Sequence, residues 1–232
     1  MTLDGALNEK DIETLRAIPE HYMVLPGLDD HGRVVIMADK TRLDFKKHDR
    51  NAIVSADTSI NDAAQRLYNP APCFQTRLLW YQFHIALENE AAQKKGIVGI
   101  GVMRIMHLGH MDRRLQVMTF KSINQAIPIK LASAHLCHVP AFFSVVWPVL
   151  AFVMGSKIRQ RCFIRKGSEE QVLHELKKFG IPARMLPKTH MGGEWELDIE
   201  EWMTARRRVE HGEKSDNSEK SAAEFTKGAE EE

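Results

Sequence analysis

Five basic residues, Lys157, Arg159, Arg161, Arg165 and Lys166, follow the most apolar part of this chain, residues 139–154, in which only Ser144 is polar. A soluble protein must bury such an apolar run on every side or use it to face something greasy. Taken alone, such a charge run is a solvated face. Two histidine pairs, His107 with His110 and His135 with His138, have spacings that metal ligands use, and Cys137 adjoins the second. On a strand His135 and Cys137 share one face while His138 points away, and Gly109 puts the first pair in a loop, so no metal site is expected. Gly96-Ile97-Val98-Gly99-Ile100-Gly101 has the composition of a dinucleotide-binding turn. That turn needs its glycines between a strand and a helix, whereas here they fall inside an apolar strand, with Met103-Arg104 where the third glycine belongs. An oxidoreductase built on this run is therefore the weakest reading. Neither a Gly-x-Ser-x-Gly elbow nor a phosphate-binding loop is present, which favours binding without a cofactor over catalysis.

The elements that position these residues alternate in type. At about 1.5 Å per residue, residues 139–154 make roughly 24 Å of helix, short of a hydrocarbon core about 30 Å thick. Pro148 suits the first turn of a second helix and divides the segment into an aromatic half, 141–147, and an aliphatic half, 148–154. Upstream, Asn8-Glu9-Lys10-Asp11 starts a helix that Pro19 ends, and runs at 22–25 and 33–38 read as paired strands around a polar loop, residues 29–32. Asp57-Thr58-Ser59 caps a helix through Leu67. A longer helix to about residue 90 carries Phe74, Arg77, Leu78, Tyr81, Ile85 and Glu88 at threes and fours. Strands at 96–103, 131–137 and 161–164 are interleaved with helices at 112–126 and 169–179. The class is α/β, with a mixed, mostly parallel sheet and right-handed crossover helices.

With 232 residues and 44% hydrophobic content, the chain supports one substantial core. A formal net charge of +1 excludes a polyelectrolyte nucleic-acid binder, and a monomer is expected. Three widely spaced cysteines and an N-terminus without an apolar stretch point to a reducing, cytoplasmic home. The expected division is a short N-terminal helix over residues 1–20, the main domain over 21–204, and a disordered charged tail over 205–232.

In order and spacing, several features line up: Ile127-Pro128, the strand 131–137, His138-Val139-Pro140, the apolar run 141–154, Lys157-Ile158, the strand 161–164, the helix 169–179, and Leu186-Pro187 with Gly192-Gly193. In these the chain resembles the CRAL-TRIO lipid-binding family of retinaldehyde-, tocopherol- and phosphatidylinositol-transfer proteins, over roughly residues 20–195. The resemblance implies a sheet flooring an apolar cavity, closed by residues 141–154 as a gate helix. It implies a single hydrophobic ligand or phospholipid, carried or presented between membranes, with transient contact to an anionic membrane surface. Wall residues would be Phe142, Phe143, Val146, Trp147, Leu150 and Val153. The floor would come from Ile100 and Val102 in one strand and Ala134 and Leu136 in the next, since neighbouring side chains face opposite sides. Lys157 would meet the polar end. Gly99 and Gly101 serve either close helix packing or room for ligand. Two departures qualify the likeness. Pro128-Ile129-Lys130 stands where phosphatidylinositol-transfer members carry Pro-Glu-Arg, so a less polar lipid than a phosphoinositide fits better. Only residues 1–20 precede the first strand, where the family carries a small helical domain. The alternative is a non-transferring interaction or regulatory module, with the same fold, a filled cavity and a surface for a protein partner.

Overall fold

Runs of branched residues build the sheet that carries everything else. The computed structural model describes residues 2–17, 22–39, 74–104 and 130–212. The helices expected at 57–67 and 112–126 and the pair His107–His110 lie outside the described residues. Met23–Val24 (β1), Val34–Asp39 (β2), Ile97–Val102 (β3), Leu131–Cys137 (β4) and Cys162–Arg165 (β5) form a sheet of order β1-β2-β3-β4-β5. β1 pairs antiparallel with β2, and the pairings from β2 to β5 are parallel.

Helices lie on both faces. Leu3–Ala6 (α1), Glu9–Ala17 (α2), Phe74–Glu88 (α3) and Ile199–Glu210 (α8) share one face with Phe143–Arg159 (α5); Glu90–Lys95 (α4) leads into β3. Glu169–Lys178 (α6) and Lys188–Met191 (α7) cover the other. On that second face Val35, Met37, Val98, Ile100, Val102 and Cys137 meet Val172, Leu176, Ile181 and Met185, and none is more than 2% exposed. Each such aliphatic burial contributes about 1.5–3 kcal/mol, so this is the solid core. Asn8 and Asp11 open α2 reciprocally: Asp11 N–H donates to Asn8 Oδ1 at 2.9 Å and Asn8 N–H to Asp11 Oδ2 at 3.1 Å. The same Asp11 carboxylate accepts from Arg77 Nη2 at 2.7 Å, tying α2 to α3.

Two boundaries differ from those the sequence predicts. α5 runs through Pro148, and the helical backbone breaks at Gly155 (φ 76°, ψ 166°). Pro148 is tolerated because the N–H it lacks would have bonded the carbonyl of Ser144, and both residues are exposed to water. At the other end, α8 extends to Glu210, past Ala205 where the tail was expected to begin. Its charges are specifically paired: Arg206 Nη1 donates to Glu88 at 2.7 Å, Arg207 to Asp4 at 2.8 Å, and Glu210 accepts from Leu3 N–H at 2.8 Å and from Tyr81 Oη at 2.7 Å.

Candidate functional site

Strand parity creates a hollow on the α3/α5 face. Ile36, Gly99, Ala134 and Cys162 occupy one row across four strands, and Ala38, Gly101, Leu136 and Ile164 the next. Small residues fill most of the middle of both rows. Among the described residues a β-carbon added at Gly99 would meet only Ala134 Cβ, at 4.0 Å, so no described helix packs down on that glycine. Among the described elements the glycine leaves room rather than close packing.

α5 roofs this floor with one row of side chains. Phe143, Trp147, Leu150 and Met154 recur at steps of three and four, which places them on one helical face, and Ile158 joins the lining past the Gly155 break. Phe143 and Trp147 set their rings 5.8 Å apart. Leu79 and Phe83 of α3, with Tyr22, close one side. The hollow, partly open to the outside, has a volume of about 180 Å³, and no side chain of aspartate, glutamate, lysine or arginine is among the described residues lining it. Burial alone pushes the Cys162 thiol at the cavity up to about 11, so it lines the wall as a neutral group.

Of the residues expected at the site, Phe143, Trp147, Leu150, Ala134 and Leu136 border the hollow with their side chains' elements, and Ile100 borders it from β3. Val102 is not at the hollow: with Ile100 its side chain belongs to the solid core on the opposite face, because the cavity side of β3 is the glycine side. Phe142 packs at the start of the roof against the cluster of Met103 and Phe143. Val146 is partly buried but outside the lining, and Lys157 is exposed beyond Gly155. Val153 lies in α5, its side chain outside the described residues. Sequence reasoning missed Leu79 and Phe83, four apart on α3, Met154, which continues the roof's own spacing, and Ile158, past the Gly155 break.

The outward face of α5 is also apolar. Val145 is 78% exposed, Val149 57% and Phe152 85%. They too repeat at four and three. Among the described residues no helix is long and apolar enough to cross a membrane.

His135 lies within the sheet rather than in a metal cluster. Its ring stacks on Phe163 with centroids 5.4 Å apart and meets Phe179 edge-on at 5.1 Å, and Nε2 lies 3.1 Å from Ser133 Oγ. Burial, with smaller contributions from the Arg165 and Arg33 charges, pushes its pKa down to about 4. Among the described residues no three His, Cys, Asp or Glu side chains converge as metal ligands.

Comparison with known proteins gives this geometry a family. The CRAL/TRIO domain matches residues 19–193. Proteins described as alpha-tocopherol transfer protein-like, from Mus musculus and Homo sapiens, are each 24% identical over 132 residues, or 54% of this chain. The chain spans 36% of the length of these curated relatives. The crystal structure of Sfh5 superposes with a TM-score of 0.50 at 10% identity, covering 79% of this chain and 57% of that one, a likeness of fold. With the family match running through the sheet, the roof and the Gly192-Gly193 close, this chain belongs to the CRAL/TRIO domain family.

Proposed function

We propose that the chain binds one compact, uncharged hydrophobic ligand between the glycine-floored sheet and α5, and exchanges it with membranes. Family membership and the tocopherol-transfer-like relatives support a lipid-binding or transfer type of function in general. The observation that carries the more specific reading is the hollow itself: apolar, floored by Gly99 and Gly101, and without a charged residue among the described ones lining it. Moving a CH₂ group from water to such a wall is worth about 0.8 kcal/mol, so a hydrocarbon of several carbons has reason to stay. A phosphoinositide headgroup finds no charged partner among the described lining residues.

At about 180 Å³ the hollow is similar to an apolar cavity that holds benzene, roughly 150 Å³, and smaller than the roughly 300–1,000 Å³ of pockets for larger ligands. Lipid entry therefore requires α5 to lift. Gly155, whose β-carbon position is open, is the hinge at its C-terminal end. Val145, Val149 and Phe152 would enter the headgroup region, as the apolar face of an interfacial helix does, with Lys157, Arg159 and Arg161 beside anionic lipid. The work is differential solvation of the ligand between bilayer and pocket, with no covalent step.

The small volume is also what favours the second reading, a non-transferring module of the same fold. Mass spectrometry of an organic extract of the purified protein, with saturable binding of α-tocopherol and of retinol, separates the two. A lipid at near one per protein supports the cavity. An apolar extract that is empty, with neither compound bound by correctly folded protein, overturns it.

A further inference from the structure

We propose that His138 is a pH-sensitive latch at the N-terminal hinge of α5, holding the roof down while its imidazole is neutral and releasing it in mildly acidic surroundings. The inference rests on the lid reading above and adds regulation to it. His138 is the corner between the floor and the roof. Its N–H donates to the Arg165 carbonyl at 3.0 Å, the last rung beside β5, and the chain then turns through Val139-Pro140 into α5. Among the described residues it is the non-glycine residue with a positive φ, 53°. The left-handed region is unfavourable for an L residue, so this corner depends on what its side chain holds.

The imidazole meets three elements. It shares an open cleft with Gly167, in the loop between β5 and α6, whose carbonyl favours the charged ring. Arg104, just past β3, brings Nη2 to 3.4 Å from Nε2. Glu169, in the first turn of α6, accepts from the same Arg104 nitrogen at 2.6 Å. Arginine only donates, so Nε2 can meet Arg104 only as an acceptor, in the neutral ring; a protonated ring has no lone pair left. Protonation also sets two positive charges together, which Glu169 offsets in part. Water reaches the group through an open cleft lined by Arg104, His138, Pro140, Ser168 and Glu169. A shift of the corner passes directly to the roof, because Val139 and Phe142 pack in one cluster with Phe143, the first cavity-lining residue of α5.

Partial burial and then the Arg104 charge hold the His138 pKa below its ordinary value, with Glu169 and the Gly167 carbonyl opposing them. A pKa depressed in the closed state means that the opened corner takes the proton more readily. Closed-state stability is then full above the ordinary histidine range, about 6.5, and declines as pH falls below it.

The test follows transfer of retinol, a neutral fluorescent lipid, from the loaded protein to phosphatidylcholine vesicles between about pH 7.5 and about pH 5.5. In parallel, hydrogen exchange of residues 143–159, corrected for intrinsic rates, reads the roof without ligand. One proton can supply at most about tenfold per pH unit, and a rise of at least about threefold in both rates is expected for the native chain. His138→Asn keeps a residue that tolerates positive φ but does not titrate, and should respond less than about half as steeply. Should that variant fail to fold, Arg104→Gln serves instead, since it removes the charge that the proton must face. A native response that is flat, or equal in the variants, overturns the latch. If retinol is not retained even at neutral pH, the cavity reading fails, while hydrogen exchange still judges the latch.

Discussion

The two faces of β3 differ by a single choice of side-chain size. Val98, Ile100 and Val102 point toward α6 and are 0%, 2% and 1% exposed within a continuous core. On the other face, between Ile97 and Met103, the strand presents only Gly99 and Gly101 to α5, and a hollow lies there. One strand thus provides cohesion on one side and vacancy on the other. The hollow arises from omitted side chains on a strand whose opposite face is fully packed. Packing and open space are therefore divided between the faces, so on the proposed function substitutions should move stability and ligand retention separately.

The largest effect belongs to the solid face. Leu176→Ala, at a fully buried position of α6, should cost about 2–5 kcal/mol in urea unfolding while leaving ligand stoichiometry unchanged. Equal loss of ligand binding in protein that remains folded would show the faces to be coupled. The same face holds the buried His135, whose pKa of about 4 lies below its ordinary 6.5. The unfolded chain takes up that proton first, so stability present above pH 6.5 is lost as pH falls toward 4, by up to roughly 3 kcal/mol. His135→Phe keeps the stacking on Phe163 and Phe179 and should flatten that acid limb in denaturant titrations at several pH values. An unchanged slope would assign the acid sensitivity elsewhere.

On the hollow face the expected outcome reverses. Gly99 has no positive φ, and among the described residues a β-carbon there meets only Ala134, so Gly99→Leu can grow into the cavity. Stability should stay within about 1 kcal/mol, since a strand interior favours a side chain over glycine. Retention of retinol or α-tocopherol should fall at least about tenfold, equivalent to about 1.4 kcal/mol. Retention at the native level would mean that ligand does not lie over Gly99, and the comparison between faces would lose its functional half.

Much of this arrangement is legible in sequence where the pattern is local. β4 begins and ends at the predicted Leu131 and Cys137, and Phe143, Trp147 and Leu150 keep the helical spacing that identified a wall. Alternation also reveals that β3 has two faces, but not which of them is inward; apolar bulk pointed to Ile100 and Val102, whereas the hollow needed the residues with least bulk. That choice depends on register, Gly99 beside Ala134 and Gly101 beside Leu136, which no local window contains. The break in α5 falls at Gly155 rather than Pro148 because solvent satisfies what proline leaves undone on an exposed face. Arg206, Arg207 and Glu210 have the composition of a solvated tail, yet their partners Glu88, Tyr81 and Asp4 stand far back in the chain.

The smallest predicted effect concerns the rim rather than either face of β3. Lys157 is exposed, two residues past the Gly155 break, with Arg159 and Arg161 exposed after it. It is outside the hollow, so its substitution should leave ligand stoichiometry alone and act only where the roof meets a membrane. A basic residue near an anionic surface contributes about 1 kcal/mol, and Lys157→Gln should weaken sedimentation with phosphatidylserine-containing vesicles by about fivefold at low salt. The difference should shrink at high salt, where the Debye length is only about 3 Å, and vanish on neutral vesicles. Phe152, 85% exposed on the outward face, provides the control: its contribution is apolar, so Phe152→Ser should weaken binding to neutral and anionic vesicles alike. If both variants bind all vesicles as the native chain does, α5 does not meet the bilayer, and the hollow beneath it must be filled by another route.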